Sequence, residues 1–338
     1  MLYIIYAAIT VVILGTFALS AGFVRALWSD RLAGLVLDVP NERSLHERPT
    51  PRTGGVGLMA AAAVALLTTR TGPGSVVVPA LLLAALFLVD DIRGLGVGTR
   101  FAAQFAAAFA FLWASGPYPW LLWPVLALGI VWSANLYNFM DGSNGLAGGM
   151  AVIGFGAYAL AAHGAHPAAG LEIALLSAII AAAAAGFLVW NFDPARIFLG
   201  DAGSIPLGFM AAAIGVAGWQ RGLWPFWFPV LVFSTFIADS GLTLAKRLVH
   251  RENPFQAHRS HYYQRLIRMG WSHRRLALNA YLLMLMTAAS AVALRDASLA
   301  VAGVALAGWA AALALVAAKV DSRWRTSAAR RQSLEQTS

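Results

Sequence analysis

Long apolar runs separated by short polar segments dominate the chain, without the two-residue alternation of half-buried strands. A helix that crosses a bilayer needs about 20 apolar residues, fewer where neighbours cover it. Eleven runs approach that length: 2–27, 54–70, 74–90, 101–116, 119–135, 145–163, 171–190, 204–219, 223–245, 276–294 and 297–318. Breaks at Gly116-Pro117 and Arg295-Asp296 can be read either way, so ten or eleven crossings are expected. The pattern predicts an all-α, polytopic integral membrane protein. One transmembrane domain spans 1–318, and a basic tail, 319–338, is expected to be mobile. The first run lacks a basic leading segment, and Ala18-Leu19-Ser20 matches a cleavage site only faintly, so it is read as a retained first span.

Composition supports lipid as the main solvent, since 59% of residues are hydrophobic and 12% are charged. That charged share is about half of the ~25% usual in soluble domains. The 24 basic and 15 acidic residues leave a net charge of +9. The basic residues lie between apolar runs rather than in one patch, which favours membrane lipids and phosphorylated substrates over nucleic acid. Absence of cysteine excludes disulfides, thiolate zinc sites and cysteine nucleophiles.

Basic loops resist translocation. With the N-terminus outside, 21 of the 24 basic residues fall in 25–54, which adds Arg25 at the end of the first run to the loop 28–53, in the loops 90–100, 135–145, 191–203 and 246–275 and in the tail, leaving Arg70, Arg221 and Arg295 outside. These loops and the C-terminus are therefore expected in the cytoplasm. Asp90, Asp91, Asn135, Asn138, Asp141, Asn144, Asn191 and Asp201, which took no part in that assignment, land on the same side. A transporter would place polar groups near the bilayer midplane, whereas here the run centres are almost wholly apolar.

Four segments carry candidate chemistry. Asp90 and Asp91 end the third run, where adjacent carboxylates repel and lose hydration unless a cation is close. A run ended by solvated charges is the competing reading. Asn135, Asn138, Asp141 and Asn144 stand three residues apart, so successive members share a helix face, and Gly142 and Gly145 can turn the last two into a pocket. Oxygen donors of this kind suit magnesium. Asp201 lies in Gly200-Asp201-Ala202-Gly203-Ser204, where glycine lets backbone approach phosphate and a helix start favours anions. His258, Arg259, His261 and Arg265 offer donors for a diphosphate. Asn41, Arg43, His46 and Arg52, in a proline-stiffened loop, add phosphate-compatible donors. Asp239 could pair with a cation or serve structure.

As a set and in this order, these segments resemble the polyprenyl-phosphate N-acetylhexosamine-1-phosphate transferases (glycosyltransferase family 4) from about residue 38 to residue 275. The strings Phe139-Met140-Asp141-Gly142-Ser143-Asn144-Gly145 and Ala257-His258-Arg259-Ser260-His261-Tyr262-Tyr263-Gln264 look closest to bacterial transferases that initiate O-antigen and other surface glycans. The peptidoglycan translocase of this superfamily differs by a histidine run in the last block and an aspartate where Asn144 stands. The resemblance implies a transferase of the bacterial inner membrane, serving lipopolysaccharide or another cell-envelope glycan. It would move an N-acetylamino-sugar 1-phosphate from a UDP-sugar to undecaprenyl phosphate and release UMP.

By the same resemblance Asn138 and Asp201 hold Mg2+, with Mn2+ as a substitute. Asp90, Asp91 and Asp141 are the catalytic candidates, the first two orienting or deprotonating the lipid phosphate. Asn144 and Asn191 face the nucleotide, and His258, Arg259 and His261 grip the diphosphate. Arg265, Asn135, Asn41, Arg43, His46, Arg52, Gly203 and Ser204 complete the expected substrate contacts. A second copy of the chain is one further expected partner. The alternatives are a peptidoglycan-type translocase, a transporter or flippase, and a non-catalytic scaffold.

Overall fold

The computed structural model describes residues 2–29, 36–40, 45, 48–164, 167–253 and 258–335. The chain is almost wholly helical: α1 Leu2–Trp28, α2 Gly54–Thr69, α3 Gly74–Arg93, α4 Val97–Ser115, α5 Trp123–Phe139, α6 Leu146–His163 and α7 Pro167–Asn191. After these come α8 Asp201–Gln220, α9 Trp227–Val232, α10 Ser234–Val249, α11 Tyr262–Arg268, α12 His273–Leu294 and α13 Leu299–Glu335. A two-residue antiparallel ladder, β1 Leu37–Asp38 with β2 Thr50–Pro51, braces the first loop.

Among the described residues nine helices are long and apolar enough to cross a membrane. The protein is a multi-pass membrane protein. The eleven apolar runs of the sequence correspond to these nine, to the shorter α2, and to a run divided at Phe233 into α9 and α10. Pro225 and Pro229 lie in or just before α9, and proline's missing N–H weakens a helix at such a point. The Phe233 ring packs against Phe155 and Tyr158.

Helix α8 is the axis of the bundle, with 89% of its apolar window buried between α3, α5 and α2. A helix apolar all round can be buried all round. Small residues allow the close approach: a Cβ on Gly55 would stand 2.4 Å from the Gly203 Cα, and one on Gly208 would stand 2.6 Å from the Ser133 carbonyl. Buried aromatic side chains, among them Tyr137, Phe155, Phe187 and Phe236, fill the remaining core.

Chain direction then gathers the polar residues. Helices α3, α5 and α7 end where α6 and α8 begin, so residues 90–91, 138–145, 191–201 and the first loop meet at one end of the bundle. Phe198 N–H donates to the Pro51 carbonyl, while Gly54 and Gly55 N–H donate to the Phe198 and Leu199 carbonyls. The segment from 319 differs from the expected mobile tail. It continues α13 as helix to Glu335, and Asp321 anchors it to Lys246 and to Arg265.

Candidate active site

Three carboxylates from three elements converge at this polar end: Asp91 from the last turn of α3, Asp141 from the turn after α5, and Asp201 from the first residue of α8. Asp91 Oδ1 accepts Arg52 Nη2 at 2.5 Å, and its Oδ2 accepts the Ala202 N–H at 3.1 Å. The Gly200 N–H donates to Asp141. Gly200 has φ 72°, and a Cβ there would lie 2.2 Å from the Arg52 carbonyl and 3.0 Å from Asp91 Oδ2. Only glycine fits this turn. Burial, then the charges of Asp201 and Asp91, push the Asp141 carboxyl well above the ordinary carboxylate range.

Asp90 points elsewhere, because consecutive helical residues diverge by about 100°. Its Oδ1 accepts the Leu95 N–H at 2.5 Å, its carboxylate pairs with Arg100 Nε at 3.0 Å, and the residue is 3% exposed. It closes the α3–α4 turn. Asn138 donates to Asp201, and its Oδ1 accepts Ser204 Oγ at 2.8 Å. A half-turn of that amide would present oxygen beside Asp201 instead.

These donors fit a hard divalent cation. Asp91, Asp141 and Asp201 supply more negative charge than Arg52 offsets, and the Asn138 amide adds a neutral oxygen. Among the described residues no three acidic or histidine side chains enclose a metal by themselves. Magnesium keeps water and takes substrate phosphate oxygens rather than an all-protein cage, so such an ion needs only a partial set of protein oxygens.

A second layer is built by amides. Asn191 Oδ1 accepts the Gly145 N–H at 2.9 Å and its Nδ2 donates to the Ile197 carbonyl at 2.9 Å, so this buried residue ties two loops together rather than facing an open cleft. Asn144 Nδ2 donates to Asp193 Oδ1 at 2.9 Å. Tyr281 of α12 donates to the Gly145 carbonyl at 2.6 Å, and Ser143 Oγ meets His273 Nδ1 at 2.9 Å.

The loop after α10 is organised by Asp239. Its Oδ1 faces His261 Nδ1 at 3.1 Å and accepts the Tyr262 N–H at 3.0 Å, while its Oδ2 accepts the Tyr263 N–H at 2.9 Å. One carboxylate thus caps α11 and fixes the His261 ring. The His258 ring stacks on it with centroids 5.0 Å apart. Burial first, then His261, Arg247 and Arg265, hold the His258 imidazole down at about 4. Tyr263 donates to the Phe139 carbonyl at 3.0 Å and joins this loop to the turn bearing Asp141. A cavity of about 430 Å³ beside Ser260 is lined by Lys246, Arg247, Arg265 and Arg325.

Of the residues expected from sequence, Asp91, Asp141, Asp201, Asn138, Ser204 and Arg52 form one connected centre. Asn144, His258 and His261 belong to the neighbouring loops, as does Arg259, whose carbonyl accepts Arg268 Nη1 at 3.3 Å. Asn135 pairs with Gln104 of α4 at 2.5 Å, and Gly203 is the contact point with Gly55 rather than a phosphate cradle. Arg265 is bound at 2.9 Å by Asp321, which occupies part of its charge. Asn41, Arg43 and His46 lie outside the described residues. Sequence reading missed Asp193, His273, Tyr281 and Asp321, whose partners are remote in the chain and leave no spacing signal. Asp239 was visible, but its role was not.

The family model of glycosyl transferase family 4 matches residues 73–218, which hold Asp91, Asn138, Asp141, Asn144, Asn191 and Asp201. The chain is 32% identical over 289 residues to the decaprenyl-phosphate N-acetylglucosaminephosphotransferase of Mycolicibacterium smegmatis, covering 72% of this chain and 71% of that protein. It is 29% identical over 283 residues to the probable undecaprenyl-phosphate N-acetylglucosaminyl 1-phosphate transferase of Bacillus subtilis, covering 78% of each. A phospho-N-acetylmuramoyl-pentapeptide-transferase from Halalkalibacterium halodurans is 33% identical over 141 residues, covering 42% of this chain and 40% of that protein.

Proposed function

Because the chain belongs to glycosyl transferase family 4, we propose that it transfers an N-acetylamino-sugar 1-phosphate from a UDP-sugar to undecaprenyl phosphate, releasing UMP. The observation that carries this reading is the convergence of Asp91, Asp141 and Asp201 on the turn at Gly200, at a membrane boundary where a lipid phosphate and a soluble nucleotide can meet. An oxygen of the lipid phosphate attacks the β-phosphorus of the donor. The bond from that phosphorus to the bridging oxygen breaks, and UMP leaves with the electron pair. The lipid phosphate is already largely ionised near neutral pH, its second pKa being about 6, so positioning matters more than proton removal.

Asp201 and Asn138 would hold magnesium, with Asp91 and Asp141 beside it. When bound, the ion supplies charge neutralisation for the diphosphate. Arg52, fixed on Asp91, faces the incoming lipid phosphate. His258, Arg259 and His261 close over the diphosphate from the loop after α10, and Asn144 with Asp193 borders the nucleotide. The site faces the cytoplasm of a bacterial inner membrane, which the 21-to-3 division of basic residues supports. The product starts a surface glycan of O-antigen type. Asn144 and the sparse histidines of 258–261 favour that over a peptidoglycan precursor. The names of the relatives make UDP-N-acetylglucosamine the first donor to test.

Isotope placement tests the bond that breaks. With a donor radiolabelled at the β-phosphorus, label should move into the lipid extract, and with one labelled at the α-phosphorus it should stay in water as UMP. Retention of β-label in water would mean sugar transfer or hydrolysis and would exclude the proposed reaction.

A further inference from the structure

A second cavity, of about 370 Å³, opens between α10, α11, α12 and α13; Met140 and Leu146 on its wall flank the turn that carries Asp141, but none of the three carboxylates lines it. Its walls are apolar: Leu242, Leu266, Leu283 and Val316 each come from a different helix. Its volume lies in the range of small-molecule sites, and in a bilayer such a cleft is wetted by acyl chains, not water.

Charge at its mouth is specific. Lys319 and Arg323, four residues apart on one face of α13, line the cavity, and neither makes an ion pair among the described residues. Asp321 lies between them in sequence but turns to the other side of the helix, where Lys246 and Arg265 hold it. Asp239, the acidic residue on the cavity wall, already serves His261 and two backbone N–H groups. Lys319 also ends the apolar part of α13, which places both cations at headgroup depth. Trp271 lines the same end, as interfacial tryptophans do.

We propose that this cleft is a binding site for a diacyl anionic phospholipid, with an acyl chain between α10 and α13 and the phosphate on Lys319 and Arg323. Basic pockets between membrane helices take such headgroups. The site is separate from that of the lipid acceptor, which must reach Asp91 and Asp201. The bound lipid would fill a cleft beside α13, whose apolar window is otherwise only 6% buried.

The test is native mass spectrometry of the purified full chain after exchange into phosphatidylglycerol or phosphatidylcholine of identical chains. Phosphatidylglycerol should be retained about tenfold or more over phosphatidylcholine, whose choline cancels the phosphate charge that the two interfacial cations attract. The double variant Lys319→Gln, Arg323→Gln should lower that preference to near unity with its thermal midpoint in detergent unchanged. Val316→Trp, which fills the cleft, should reduce retention of both lipids. Equal retention of the two lipids by the native chain would overturn the proposal. So would a double variant that keeps its preference and instead raises the KM for polyprenyl phosphate, because the cations would then belong to the acceptor.

Discussion

At the scale of the residue, adjacent carboxylates have opposite duties. Asp90 is locked to Arg100 and the Leu95 N–H, whereas Asp91 faces Asp141 and Asp201. Asp91→Asn should therefore lower kcat by roughly 100-fold or more, the loss expected when one group of a charge-stabilising site is removed, while the thermal midpoint holds. Asp90→Asn should do the reverse, lowering the midpoint and sparing most of the turnover per folded molecule. Steady-state kinetics beside thermal unfolding separates the two. His258 gives a pH signature. Its pKa is depressed from 6.5 to about 4, so the unfolded chain takes up the proton first. Stability from this group is present above about pH 6.5 and is lost as pH falls toward 4. The decline in thermal midpoint between neutral and mildly acidic pH should be shallower in His258→Gln. An identical decline would mean that His258 does not titrate in this way. The ligand-type residues were legible because acids and amides stand out in apolar sequence. Their partners were not, because Asn191 with Gly145, or Asp239 with His261, meet only after helices pack.

At the scale of the element, α8 depends on small residues facing small residues. Gly55→Ala would press a methyl group onto the Gly203 backbone, which cannot yield as a flexible side chain would. It should cost roughly 1–3 kcal/mol, as overpacking does, and displace the Phe198–Gly200 segment that shapes the carboxylate centre. Thermal unfolding and activity should fall together. Ordinary behaviour in both would show that α2 and α8 are not so closely apposed. The spans were legible because a run of about 20 apolar residues has few other uses. The break at Phe233 and the helical continuation past residue 318 were not legible. The first arises from prolines and ring packing inside an apolar run. The second rests on Asp321, a lone acid whose anchors, Lys246 and Arg265, lie far back in the chain.

At the scale of the whole molecule, the candidate chemistry lies at one end, and the placing of that end in the cytoplasm is the part of the proposal that rests on the distribution of basic residues. The chain contains no cysteine, so single introduced thiols can report sidedness. Ser298 and Thr326, both exposed, flank the apolar part of α13. A membrane-impermeant maleimide should label Ser298→Cys in intact spheroplasts and Thr326→Cys only after lysis; the opposite order would invert the topology. The central claim, that the Asp91, Asp141 and Asp201 centre runs a phosphosugar transfer, is tested most directly by UMP release. Purified protein with undecaprenyl phosphate and a panel of UDP-N-acetylamino sugars should release UMP in proportion to lipid product. Release should rise with added Mg2+, and Asp201→Ala should remove most of it. Absence of UMP with every donor, or full release by folded Asp201→Ala protein, would contradict the claim.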